Sequence, residues 1–331
     1  MGLENWGPHD ATKFLAFTAN VYRDLYPAID PARPELRQEG KIVVITGASR
    51  GLGQLGFAAS FAVAGASAIV LTGRSVDGLK ETEQLITKTN PAVRVLCIPL
   101  DVTDEHAVNT AFEEIHTKLG TPHVLINNAG ILAPPNTITG SNLDTWWAVH
   151  EVNIKGPFLV TRAFLHLTGP HPERPTTIIN LTSSSSMGTP PGLSPYSMSK
   201  TTMYKFTGFL SAEYPDITSV TYDPGVVATD MSRSVGYLKT VSRDTPELSG
   251  GAAVWLASGD KKYLSGRVFF ANWDVDEVER RKDEIVEQNL LTLWMKGGCG
   301  RPGRGCEELW ERPGVMFQCI NVWMRVNHVR V

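Results

Sequence analysis

Short runs of aliphatic and β-branched residues, each stopped by glycine, proline or small polar residues, recur through the middle of the chain and alternate with longer stretches of mixed character. The runs Lys41-Ile-Val-Val-Ile45, Ala68-Ile-Val-Leu-Thr72, Val93-Arg-Val-Leu-Cys-Ile98 and Val124-Leu-Ile126 predict strands. So do Thr177-Ile-Ile-Asn-Leu181, Ile217-Thr-Ser-Val-Thr-Tyr222 and Arg267-Val-Phe-Phe270. Unbroken apolar character, rather than alternation, belongs to strands buried on both faces, as in parallel sheets. Between them, helices are expected over 55–64, from about Asp104 to Leu119, from about Asn142 to Leu167, over the stretch beginning at Tyr196, and from about Glu247 to Ser258. Alternating strands and helices require crossovers, so the pattern predicts one doubly wound α/β domain over residues 41–296, its parallel sheet covered on both faces.

The two flanks read differently. In residues 1–40, Phe14, Leu15, Phe17, Val21, Tyr22 and Leu25 recur at helical spacing, and the proline-broken run from Tyr26 to Pro34 is expected to be extended. This leader is expected to pack on the domain surface, the alternative being a substrate lid or an oligomer arm. Beyond residue 297, Gly297-Gly-Cys-Gly-Arg-Pro-Gly-Arg-Gly305 has the composition of flexible chain, and residues 306–331 show no clear hydrophobic period. Residues 297–331 are therefore expected to form an irregular, poorly ordered tail rather than a dimerisation or capping element.

Composition narrows the field. At 331 residues, with 42% hydrophobic and 20% charged residues, the chain is long enough to bury a full-sized core. A formal net charge of −3 offers no basic excess for a phosphate backbone, which speaks against nucleic acid as a partner. Cys97, Cys299, Cys306 and Cys319 match neither zinc-ligand nor disulfide spacing and read as free thiols. His166 and His171 lack metal-ligand spacing, so no metal is expected. No stretch approaches the roughly 18 apolar residues that span a bilayer, and Trp6 occupies the position where a myristoylation motif needs Ser or Thr. A cytoplasmic location is the expectation.

The chemistry-bearing residues sit where strands end. The first strand runs into Thr46-Gly47-Ala48-Ser49-Arg50-Gly51-Leu52-Gly53 and then a helix. Glycines let the backbone approach a phosphate, and the helix supplies unpaired N–H groups and its positive dipole end. The second strand ends in Gly73-Arg74 instead of the acidic residue that usually accepts the adenosine ribose hydroxyls. With Arg50 on the glycine turn, Arg74 can form charge-assisted bonds to a 2′-phosphate, which favours NADP(H) over NAD. Asp101 and Val102 follow the third strand, and Asp101 could accept a hydrogen bond from an adenine amino group. Asn127-Asn128-Ala129-Gly130 follows the fourth, where amides and small residues can lie close under a flat ligand. Asn153 stands mid-helix among apolar residues, a place more often filled by a satisfied interior amide than by a catalytic group. A serine run, 183–186, leaves the fifth strand and feeds Tyr196-Ser-Met-Ser-Lys200. Tyr and Lys four apart share a helix face, and an ammonium beside a phenol favours the phenolate.

Together, in this order and spacing, these segments resemble the short-chain dehydrogenase/reductase family over about residues 41–270. The match consists of Thr46-Gly47-x-x-x-Gly51-x-Gly53, Asp101, Asn127-Asn128-Ala129-Gly130, Asn153, a serine thirteen before the tyrosine, Tyr196-x-x-x-Lys200, and Pro224-Gly225 with Thr229. The leader run Tyr26-Pro-Ala-Ile-Asp-Pro and the late Ala271-Asn-Trp-Asp-Val-Asp276 look like those of fungal members, many of which act in specialised metabolism. The resemblance implies a Rossmann fold and a homodimer or homotetramer associating through the helices that carry Asn153 and Tyr196. It implies that Tyr196 is the acid in reduction and the base in oxidation. Lys200 would hold the nicotinamide ribose and lower the tyrosine pKa, Ser183 would bond the substrate oxygen, and Asn153 would help hold a relay water. Counting from Gly188 instead points to Ser185, so the serine stays open between the two. Gly47, Ser49, Arg50, Gly51, Leu52 and Gly53 would line the phosphates. Arg74, Asp101, Val102 and Asn128 would face the adenosine, with Ala129 and Gly130 beneath the cofactor and Val227 and Thr229 at the nicotinamide.

The expected activity is NADP(H)-dependent interconversion of a ketone and a secondary alcohol on a small, apolar molecule. Two alternatives remain: reduction of a carbon–carbon double bond, or isomerisation or cyclisation, on the same fold; and a cofactor-binding scaffold without turnover. The intact Ser, Tyr, Lys and Asn set argues against the scaffold. The substrate-facing loops, 133–145, 187–195 and 226–246, and the residues beside them carry Trp146, Trp147, Met187, Pro190 and Tyr237, and no fixed charge in them demands a particular substrate group.

Overall fold

The computed structural model describes residues 15–233 and 242–293; the expectations for residues 297–331, for Tyr237 and for Cys299, Cys306 and Cys319 fall outside that range. Seven parallel strands form one sheet in the order β3-β2-β1-β4-β5-β6-β7. They are β1 (Ile42–Thr46), β2 (Ala68–Gly73), β3 (Arg94–Pro99), β4 (Val124–Asn127), β5 (Thr176–Leu181), β6 (Ile217–Asp223) and β7 (Arg267–Phe270). Each lies where the apolar runs place it, with ends shifted by a residue. The order reverses between β1 and β4, which opens a crevice beyond their carboxyl ends, where open α/β sheets receive ligands.

Two cores flank the sheet. On one face, Val43 and Ile45 of β1 meet Phe57, Phe61 and the buried helix that contains Val254 and Trp255. On the other, Val44 and Val70 meet Val108, Phe112, Leu159 and Phe164. Alternate residues of one strand thus enter opposite cores, as the twofold period of a strand dictates.

The helices in chain order are α1 (Ala59–Val63), α2 (Val76–Thr89), α3 (Glu105–Leu119), α4 (Leu143–His150), α5 (Gly156–Thr168), α6 (Ser194–Glu213) and α7 (Asp230–Arg233). Then come α8 (Pro246–Leu256), α9 (Val275–Arg280) and α10 (Lys282–Glu287). Several are capped as their sequences dictate: Ser75, Asp104, Asn142 and Thr245 each accept an N–H of the first turn.

Four features depart from expectation. The first crossover helix begins at Leu52 rather than Leu55, and its first turns, Leu52–Ala58, are π-wound. The helix expected over 142–167 contains a second π segment, Glu151–Lys155, between α4 and α5. A π segment takes one extra residue into the helical ladder, a local shift that a period read over the whole helix does not resolve. The amphipathic helix α2 has no counterpart among the expected elements. The leader, finally, is neither helical nor wholly extended over its described residues, 15–40.

From residue 15 to Tyr26 the leader is irregular, and Pro27–Ile29 and Pro34–Leu36 form short 3₁₀ turns, each with proline at its start, where a fixed φ suits the turn. Ile29 and Gln38 are fully buried. Val21 bridges antiparallel to Trp273, the Tyr22 N–H donates to the Asn272 carbonyl at 2.8 Å, and the Tyr26 hydroxyl donates to the Trp273 carbonyl at 2.8 Å. That hydroxyl in turn accepts the Val275 N–H at 3.0 Å, so residues 21–26 are stitched to the segment after β7.

Candidate active site

The glycine turn is held from behind by β4's exit. Asn128 Nδ2 donates to the carbonyls of Thr46 at 2.7 Å and Gly47 at 3.0 Å, and the backbone N–H groups of Asn128 and Ala129 both donate to Thr46 Oγ1 at 3.0 Å. Asn128 thus shapes the turn with its side chain. A Cβ at Gly53 would lie 2.3 Å from the Gly47 carbonyl oxygen and 2.9 Å from Asn128 Nδ2, so only glycine permits this packing. Gly51, at φ 58°, faces open space except for the Thr229 side chain, 3.6 Å from where its Cβ would be. That open backbone at the start of a helix has the shape and polarity of an anion cradle.

Ser49 lies between the ends of β1 and β2, its side chain in contact distance of Gly73. Arg50 is exposed and pairs with Asp230 at 3.5 Å across the cleft. Arg74 follows β2, exposed, and its charge helps to lower the Asp101 pKa, although hydrogen bonds from Thr103 to that carboxylate lower it more. The Val102 side chain is buried against Gly156.

The second half of the site is built on α6. Lys200 is buried, donating from Nζ to the Leu181 carbonyl at 3.0 Å and standing 5.8 Å from the centre of the Tyr196 ring. Burial lowers its pKa to about 8, with Asp223 pulling the other way. Tyr196 is half-buried beside it. Gly130 closes the other side: a Cβ there would be 3.2 Å from Asn153 Oδ1 and 3.5 Å from Lys200 Nζ.

Asn153 is 1% exposed and its amide makes three hydrogen bonds. Oδ1 accepts the Ile131 N–H at 2.8 Å, while Nδ2 donates to the Ile131 carbonyl and to Ser199 Oγ, both at 3.0 Å. Ser199 Oγ donates to the Tyr196 carbonyl at 2.7 Å. Asn153 therefore ties the exit of β4 to the tyrosine helix, and the π segment in which it sits swings it into that position. Ser183 caps a 3₁₀ turn, Ser184–Ser186, at the end of β5, and its hydroxyl lies 3.1 Å from that of Ser185. The structure brings both candidate serines to one place.

Thr182, Asn180 and Asp223, which the sequence did not single out, complete the frame together with Asn127 and Trp146. Thr182 Oγ1 donates to the Lys200 carbonyl at 2.9 Å, anchoring α6 to β5. Below it, Asn127 Nδ2 donates to Thr161 and Asn180, and Asn180 donates to Thr207, a buried polar chain crossing the sheet edge. Asp223, 2% exposed, accepts the Gly225 N–H at 2.9 Å. Burial pushes its pKa up to about 6 and the Asp244 charge adds to this, against the pull of Gly225 and Lys200. Trp146 donates to Ser194 Oγ at 3.4 Å and stacks on His150 at 4.2 Å, giving the mouth of the cleft an aromatic wall. Among the described residues, no group of three or more His, Cys, Asp or Glu is arranged to hold a metal ion, and no helix is long and apolar enough to cross a membrane.

A doubly wound sheet with a glycine cradle at its switch point and a buried lysine beneath a tyrosine is the frame of a nicotinamide-dependent oxidoreductase. The sequence model of the short chain dehydrogenase family matches residues 41–237, and the chain belongs to that family. Its relatives include the short chain dehydrogenase citE of Monascus ruber, 35% identical over 285 residues, which cover 84% of this chain and 96% of that one. Another, pigC of the same fungus, is 36% identical over 301 residues, covering 88% and 95%. Among solved structures, a putative short-chain alcohol dehydrogenase from Sinorhizobium meliloti superposes with a TM-score of 0.63 at 26% identity, covering 72% of this chain and 97% of that one. A gluconate 5-dehydrogenase from Burkholderia cenocepacia, in complex with NADP and tartrate, gives a TM-score of 0.63 at 24% identity over 74% and 96%.

Proposed function

We propose that this oxidoreductase uses NADP(H) to reduce a ketone on a small, largely apolar molecule to a secondary alcohol. The observation that carries this reading is the placement of Lys200, buried one helical turn from the half-buried Tyr196 and facing Gly130 and Asn153 at the carboxyl edge of the sheet. A bound nicotinamide cofactor supplies hydride. The chain's own part is to place a phenol O–H and a serine O–H where negative charge develops on the carbonyl oxygen, and to deliver the proton from Tyr196. Lys200 keeps that proton transfer close to neutral pH by its charge and holds the ribose side of the cofactor. Asn153, besides its tie to Ser199, would help to order a relay water.

Preference for NADP(H) rests on Gly73-Arg74 in place of an acidic residue at the end of β2, and on Arg50 of the glycine turn. A fluorescence titration tests it. NADPH should bind wild type at least about tenfold more tightly than NADH, and Arg74→Ala should remove most of that difference by weakening NADPH alone. Equal binding of the two cofactors by wild type would overturn the 2′-phosphate reading while leaving the reductase standing.

The aromatic wall of Trp146 and His150 and the exposed Met187 favour an apolar substrate, and the fungal relatives favour a specialised metabolite. Leu143, Trp147, Phe158, Met198 and Phe209 are exposed on the helices around Asn153 and Tyr196, which suits association of two or four copies through these faces. Of the paired serines, Ser183 is the substrate-oxygen donor. Ser183→Ala should lower kcat/KM about a hundredfold and Ser185→Ala less than tenfold; the reverse order in steady-state assays would assign the role to Ser185.

A further inference from the structure

One carboxylate joins the leader to the turn that follows β6. Asp244, whose side chain is 1% exposed, receives Arg23 Nη1 on Oδ1 at 3.2 Å and the Val226 backbone N–H on Oδ2 at 2.6 Å. The main chain repeats the tie: the Asp244 N–H donates to the Val226 carbonyl at 3.2 Å, and Val227 bridges to Asp244 in parallel. Next to it, the Thr245 N–H donates to the Arg23 carbonyl at 3.0 Å and its hydroxyl to the Asp24 carboxylate at 2.8 Å. The turn has no slack. Gly225 stands at φ +82°, and a Cβ there would lie 2.7 Å from Asp244 Oδ2.

A buried carboxylate needs compensation, and with Asp223 close by, the charge to be compensated is the larger. Burial accordingly raises the Asp244 pKa, while the Val226 N–H and Arg23 draw it down. Arg23 comes from a leader far away in sequence, with a separation of 221 from Asp244.

We infer that Arg23 is a positioning residue for the nicotinamide side of the cofactor site, acting through the Asp244 carboxylate to fix Gly225–Val227 and the Thr229 that comes after them. The inference rests on the reading that Val227 and Thr229 meet the cofactor. The leader is thus part of the site's construction.

Hydrogen exchange of the unloaded protein, together with NADPH and NADH titration and a thermal melt, tests this. In Arg23→Gln the peptide covering Val226–Thr229 should exchange about tenfold faster, with the β1 and β4 peptides unchanged, and the NADPH Kd should rise about tenfold. Arg23→Lys, with its charge kept on a different reach, should fall between wild type and Gln on both readouts. If Arg23→Gln does not fold, Arg23→Lys alone is decisive: an unchanged Kd overturns the inference. Faster exchange with unaltered NADPH binding would reduce Arg23 to a tether, and unaltered exchange would overturn the inference outright. Wild type that binds NADH and NADPH equally removes only the 2′-phosphate reading, whereas wild type that binds neither removes the proposed function and this inference together.

Discussion

Tyr196→Phe is expected to lower kcat for ketone reduction by about a thousandfold or more while leaving the NADPH Kd within about twofold of wild type. The substitution removes one oxygen from a half-buried ring on α6 and leaves the ring, Lys200 and the Leu181 carbonyl in place. A loss confined to kcat identifies a group that acts in the transition state rather than in binding. The donor left on the developing oxyanion would be a serine hydroxyl, a weaker acid than the phenol, so residual turnover should be small. Stopped-flow measurement of NADPH oxidation under single-turnover conditions separates chemistry from product release. Unchanged single-turnover rates would move the activity toward double-bond reduction or cyclisation, and undiminished cofactor binding with no turnover in wild type would favour a scaffold.

Lys200→Met is expected to do two things in opposite directions. Activity should fall about a hundredfold or more, because the charge that assists Tyr196 is gone. Stability of the unloaded protein at pH 7 should rise. The Lys200 pKa is lowered from 10.5 to about 8, chiefly by burial, so the fold favours the neutral amine. Its contribution is then fully favourable only above the unfolded value near 10.5, and is lost as pH falls through about 8. At pH 7 the buried ammonium costs roughly 3 kcal/mol, of which the lost bond to Leu181 returns about 1. A gain of about 5 °C in Tm at pH 7 is expected, shrinking toward zero near pH 10. Melts at three pH values check it, and a variant that melts lower than wild type at pH 7 would mean that the bond to Leu181 outweighs the burial of charge. The same titration implies that reduction by wild type slows as pH rises through about 8, where Lys200 gives up its proton.

The frame of this protein is legible in its sequence because its causes are local. Uninterrupted runs such as Lys41–Ile45 and Ile217–Tyr222 have one comfortable home, a parallel sheet covered twice, and the helices that cover it announce themselves by period and cap. Tyr196 and Lys200 are legible for the same reason, since a spacing of four fixes a shared helix face. What escapes has a different origin. The π segments Leu52–Ala58 and Glu151–Lys155 change register by single residues that hydrophobicity does not record. The bonds from the Asn128 side chain to the Thr46 and Gly47 carbonyls are not legible either, because backbone carbonyls in a tight turn need donors and sequence does not show which turn they belong to. The apolar positions Phe17 and Tyr22, which share a helical spacing in sequence, instead pack on the core that contains Trp273, an apolar surface made by the other end of the domain. Arg23 and Asp244, like Asp223 and Lys200, meet only after folding, and no rule of spacing joins them.

The stitching of the leader to the segment after β7 also bears on how the chain is made. Tyr22 leaves the ribosome early, but the Asn272 side chain that donates to its carbonyl is 250 residues behind. At translation rates of about 5 to 20 residues per second, the leader waits on the order of ten to fifty seconds for its seat to exist. During that interval the strands of the sheet can pair in the order in which they emerge, from β1 outward, without the leader competing for their faces. A segment made before the sheet is therefore among the last to dock, and the tie from Arg23 to Asp244 is one that only a finished domain can complete.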